Sequence, residues 1–94
     1  MNNPIQIDYS DTMLRILVEE YITMQRREFT FRGVCDFVLY RAMEEGRTAG
    51  QTIYESNELQ PSDQDRIRCV LKKIADEGRI TVLTDNMQFT KVNE

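Results

Sequence analysis

Chemistry needs particular side chains at particular spacings, and this 94-residue chain offers few of them. It has no histidine, which removes the commonest general base, the commonest zinc ligand and every Ser/His/Asp or Cys/His nucleophile arrangement. The two cysteines, Cys35 and Cys69, are far apart and lack Cys-x-x-Cys spacing, so neither a zinc site nor a redox pair is written here. Glu19-Glu20 and Glu44-Glu45 are carboxylate neighbours, but adjacent residues diverge on a helix and do not share a proton. The residues point to a binding protein rather than an enzyme, with no metal and no cofactor expected.

The polar side chains that suit recognition cluster after Pro61. Ile67, Val70, Leu71, Ile74 and Ala75 recur at helical spacing, and Gly78 ends the run. Winding that helix at about 100° per residue points Asp65, Cys69, Lys72 and Asp76 away from the core, with Arg68 and Lys73 flanking and Gln64 nearer the core edge. Ser62 is the expected N-cap, and Asp65 three residues on approximates a capping box. Two readings of this face stand side by side. Arg68, Lys72 and Lys73 suit phosphates and base edges, whereas the Asp65–Arg68 spacing suits pairing within the helix on a solvated face. If the carboxylates are tied to these cations, little positive charge is left for a partner. Cys69 reads as a surface thiol, because Asp65 and Asp76 deny it the electropositive setting of a redox switch.

Other elements must position this helix. Ser10 or Asp11 caps a first helix expected over 11–27, with Leu14, Leu17, Val18, Tyr21 and Gln25 on one face. Thr30 caps a second, whose stripe is Phe31, Val34, Phe37, Val38 and Ala42, and Gly46 stops it. The loop-like stretch from Gly46 to Pro61 reads as at most one helical turn. Ile80–Leu83 and Gln88–Val92 read as two strands turned by Asp85-Asn86, and Phe29 and its neighbours as a third short strand. The alternation of Ile5, Ile7 and Tyr9 marks residues 1–9 as an extended arm that needs cover on its apolar side. With Met13 and Ile16, which project off the main stripe of the first helix, the arm forms a patch that a second copy covers or that folds back on its own helix.

In this order, with Asp65-Arg66-Ile67-Arg68-Cys69-Val70-Leu71-Lys72-Lys73-Ile74-Ala75-Asp76-Glu77-Gly78-Arg79-Ile80 running from a helix through Gly into a strand, the chain resembles the winged helix-turn-helix superfamily. The resemblance implies an α+β winged-helix fold and a dimeric DNA-binding regulator. Its third helix would lie in the major groove of double-stranded DNA, and Gln64, Arg68, Lys72 and Lys73 would make contact. It also implies backbone contacts from Thr30 and Arg32 at the second helix's N-terminus, and from Lys91 near the wing. Two features depart from the pattern: the gap from Gly46 to Pro61 is long for the motif, and the hairpin tip carries Asp85 and no cation. The alternative the resemblance leaves open is an adaptor of the same fold that binds another protein.

Length and charge set the frame. Ninety-four residues make one domain over 1–94. Twelve Lys and Arg against sixteen Asp and Glu give −4, so the overall field repels nucleic acid and any DNA contact must be local. No apolar run is long enough for a membrane span, and the start lacks signal-peptide character, so a cytoplasmic protein is expected.

Overall fold

The computed structural model describes residues 4–48, 58–84 and 87–92. Within them the chain is α+β, with three helices and a three-stranded antiparallel sheet in the order α1 (Asp11–Met24), β1 (Glu28–Thr30), α2 (Phe31–Glu45), α3 (Pro61–Asp76), β2 (Ile80–Thr84) and β3 (Gln88–Lys91). The hairpin turn expected at Asp85-Asn86 lies outside the described residues, as does most of the stretch between Gly46 and Pro61.

The first helix starts where Ser10 accepts the Met13 amide on its side chain. It ends three residues before the expected Arg27, and the cause is tertiary. β3 recruits the chain just beyond Met24: the Lys91 ammonium donates to the Gln25 carbonyl at 3.1 Å and the Lys91 amide to the Arg27 carbonyl at 2.7 Å. Extending α1 would remove β1 from the sheet. The second helix has both expected ends, with the Thr30 hydroxyl accepting the Gly33 amide and Gly46 left-handed at φ 70°. Cys35, which the sequence places at the margin of the stripe as packing, is in the core; the departures from expectation are that Leu39 is in the core too, while Phe37 is half-buried, tilted against Tyr21 and beneath the Arg41 guanidinium.

The third helix is capped two residues earlier than the expected Ser62. Pro61, whose fixed φ suits the first helical position, opens it, and Gln60 is the N-cap without a side-chain bond. Asp63 in this first turn is 3% exposed and has another role. Its carboxylate accepts the Ile7 amide at 3.0 Å and the Arg66 guanidinium at 3.1 Å, and Arg66 also holds the Tyr9 carbonyl and Asp11. The arm is thereby clamped to α3. Ile5 exchanges backbone bonds with Glu58 and Gln60, and Ile7 bridges to Thr48. Ile5, Ile7 and Tyr9, expected to be free for a second copy, are 2%, 3% and 6% exposed, which corrects that assignment. The apolar side of the arm is needed by the chain's own core.

The sheet order is β1-β3-β2, so β3 is central and β2 lies at an edge. Phe29 pairs with Phe89 across β1 and β3, and their rings stack at 5.3 Å. Below the sheet, Arg15 and Arg79 share Glu19 and Glu77, which ties α1 to the end of α3 and the start of β2.

Candidate interaction surface

The outward face of α3 is as the helical winding requires: Asp65, Arg68, Cys69, Lys72, Lys73 and Asp76 are all exposed. The cations on it are not equally available. Arg68 donates to Asp65 one turn earlier at 2.8 Å, and its guanidinium lies 4.5 Å from the centre of the Phe31 ring. Lys72, Lys73 and Asp76 have no ion pair among the described residues.

The remaining sequence-predicted contacts divide the same way. Thr30 spends its hydroxyl on the α2 cap, and Gln64 donates its side-chain amide to the Leu59 carbonyl at 2.8 Å. Arg32 stays 73% exposed, with Asp36 on the next turn at 3.7 Å. Arg32, Gln64 and Arg68 do converge, around a depression of about 270 Å³ where Phe31, Cys35 and Met87 form the apolar part and Asp36 and Glu58 add carboxylates. Lys91 is elsewhere. It lies with Arg26 and Arg79 beyond the end of α1, its ammonium already bonded to Gln25. Met13 and Ile16 remain 38% and 52% exposed on α1, while the arm residues expected to extend their patch are buried.

A second concavity, about 380 Å³, runs between α3 and the hairpin. Leu71, Ala75, Val82 and Phe89 line it, with Arg68, Cys69, Lys72 and Asp76 at its α3 side. Register explains the floor: Val82 pairs with Phe89, so both side chains are on the sheet face toward α3. Phe89 is covered, but Val82 on the edge strand is 39% exposed. Leu83 and Met87, at the far end of the hairpin, are 48% and 49% exposed. The hairpin thus presents apolar side chains where a phosphate-gripping wing needs cations. The sequence pattern did not single out this groove. The alternation of Ile80 and Val82 was visible, but the edge position of β2 depends on a strand 50 residues upstream, which no local pattern reveals.

Electrostatics add little reactivity. Burial, reinforced by the Asp36 charge, pushes the Cys35 thiol up to about 12, against a smaller opposing effect of Arg68. Hydrogen bonds from Arg15 and then Arg79 hold the Glu19 carboxyl below its ordinary value. Among the described residues there is no group of three potential metal ligands, and no helix is long and apolar enough to cross a membrane.

No family model, curated protein or solved structure matches the chain.

Proposed function

We propose that this chain is a winged-helix module that works by binding another protein chain in the groove between α3 and β2, without chemistry of its own. The order of elements, with β1 joined to the hairpin in one sheet, supports the winged-helix arrangement. One observation carries the function: a groove floored by Leu71, Ala75, Val82 and Phe89 opens beside the edge strand, and the same hairpin exposes Leu83 and Met87 at its far end. Apolar surface gathered in a concavity and rimmed by charge is what a protein partner covers. The −4 overall charge suits such a partner better than a polyanion.

The test is a photo-crosslinking residue in place of Leu83, with the same residue in place of Met24 at the end of α1 as the control. A polypeptide adduct from position 83 alone is the expected result. No adduct, or an adduct to nucleic acid, overturns the reading.

DNA binding is the second reading, favoured by Arg32, Lys72 and Lys73, which keep exposed cationic heads beside the α2 N-terminus and on α3. Under it, random duplex DNA raises fluorescence anisotropy at low salt, the effect weakens steeply with added salt, and Lys72→Ala/Lys73→Ala removes it. Flat titrations at low salt reject it.

A further inference from the structure

The backbone of β2 identifies what kind of chain fits beside it. In an antiparallel pair, bonded and non-bonded residue pairs alternate. The Arg79 carbonyl accepts the Val92 amide at 3.1 Å, so Arg79 is directed toward β3, and Thr81, two residues on and opposite Thr90, is directed the same way. Ile80 and Val82 alternate with them, and their N–H and C=O groups face the free edge. Natural edge strands are blunted by Lys, Glu, Pro or a bulge. Residues 80–84, Ile-Thr-Val-Leu-Thr, contain none of those residue types, and the register shift between Val82 and Thr84 comes after the two open positions.

We infer that β2 pairs antiparallel with β2 of a second copy about a two-fold axis at Thr81, closing the α3–β2 groove of both chains. This rests on the groove being a protein-binding site and names its occupant. About that axis Ile80 of each chain meets Val82 of the other, both with outward backbone groups, giving four hydrogen bonds in the stretch before the bulge. Thr81 meets its own copy on the opposite face, a favourable cross-strand pair. Val82 of each chain extends the sheet face beneath α3, where the groove is open.

Charge on the groove rim is self-complementary in the same sense. Lys72 and Asp76, one turn apart, both line the groove, and neither has an ion pair within its own chain among the described residues. A two-fold axis offers the Lys72 of each chain to the Asp76 of the other, twice per dimer. A foreign strand would satisfy the edge but has no reason to carry both signs at this spacing.

The experiment is light scattering on the eluting protein over a dilution series. The expected mass is twice that of the 11.1 kDa chain when concentrated, falling to one chain on dilution. Val82 is partly exposed, so Val82→Lys is expected to keep its far-ultraviolet circular dichroism while eluting as a single chain. Lys72→Asp and Asp76→Lys each weaken the dimer roughly tenfold, as a rim ion pair turned repulsive and doubled by symmetry does. The double reversal restores it. Wild-type chain that stays single at every concentration overturns the inference, as does a Val82→Lys variant that still dimerises, or a double reversal no better than its parents. If the wild type is single while position 83 crosslinks a different polypeptide, the second copy is excluded and the groove reading stands. If position 83 crosslinks nothing, both fail.

Discussion

The amide of Ile7 is held at 3.0 Å by the buried carboxylate of Asp63, so an apolar arm near the start of the chain is anchored by a charge in the first turn of α3. Arg66, whose side chain is 31% exposed, neutralises that charge from the solvent side. Asp63→Ala leaves the Ile7 amide without its acceptor and removes one partner of the Arg66 guanidinium, which keeps the Tyr9 carbonyl and Asp11. The expected loss is about 2–3 kcal/mol, the cost of removing a buried hydrogen bond to a charged group whose ion partner is not itself fully buried. Urea unfolding measures it. A loss below about 0.5 kcal/mol, the level of an ordinary surface substitution, would mean that the arm is held by its apolar side chains alone.

Gly33 tests the packing between α1 and α2. A β-carbon there would collide with the Tyr21 hydroxyl, although Gly33 lies inside a helix, where alanine is otherwise favoured by about 1 kcal/mol. Overpacking costs about 1–3 kcal/mol, so Gly33→Ala is expected to destabilise the protein on balance. In a Tyr21→Phe background, without the colliding oxygen, the same substitution becomes neutral or stabilising. Thermal unfolding of the four combinations checks the change of sign.

Acid should release the Arg15–Glu19–Arg79 network. Hydrogen bonds from Arg15 first, then Arg79, lower the Glu19 carboxyl in the folded state. A group depressed on folding contributes stability above its unfolded value, and that contribution is lost as pH falls through the folded one. Stability is therefore expected to drop on acidification below about pH 4.5, the ordinary glutamate range. Glu19→Gln, which carries no titrating group, should flatten that part of the profile. Urea midpoints measured from about pH 6 to about pH 3 give the comparison, and equal slopes for both proteins would reject the network as the cause.

The two thiols should separate by reactivity. Cys35 is 8% exposed, with its thiol raised to about 12, whereas Cys69 lies exposed on α3. Iodoacetamide at mildly alkaline pH is expected to add one label per native chain, at Cys69, and two after denaturation. Because Cys69 lines the groove, its labelling rate should also fall as the chain is concentrated if the groove closes on association.

Local signals predicted α2 best. Its Thr30 cap and left-handed Gly46 are each set by residues within one turn, and both are where the sequence places them. The buried stripe of α3 was legible for the same reason, but its first turn was not: Ser62 looked like the cap because nothing local reveals that Asp63 must reach back to Ile7. The end of α1 was misplaced because pairing of residues 28–30 with β3 overrides helix propensity beyond Met24. Of the predicted contact residues, Arg32, Gln64 and Arg68 share one depression, while Lys91 lies apart beside Gln25, since a strand position does not say which neighbour its long side chain will reach. The arm of Ile5, Ile7 and Tyr9 was legible as extended and apolar, but not as core.

That arm also fixes when the chain can fold. Ile5 is bracketed by Glu58 and Gln60, and Ile7 is capped by Asp63 at a separation of 56 residues, so a ribosome must release the chain past Asp63 before these apolar residues find cover. Until then Ile5, Ile7 and Tyr9 travel with an incomplete α1–α2 pair. The native state is reached only after closure of a long loop, a slow step compared with forming either helix. During synthesis, therefore, the residues exposed longest are ones that the finished protein hides almost completely, and the arm is where a chaperone would meet this chain.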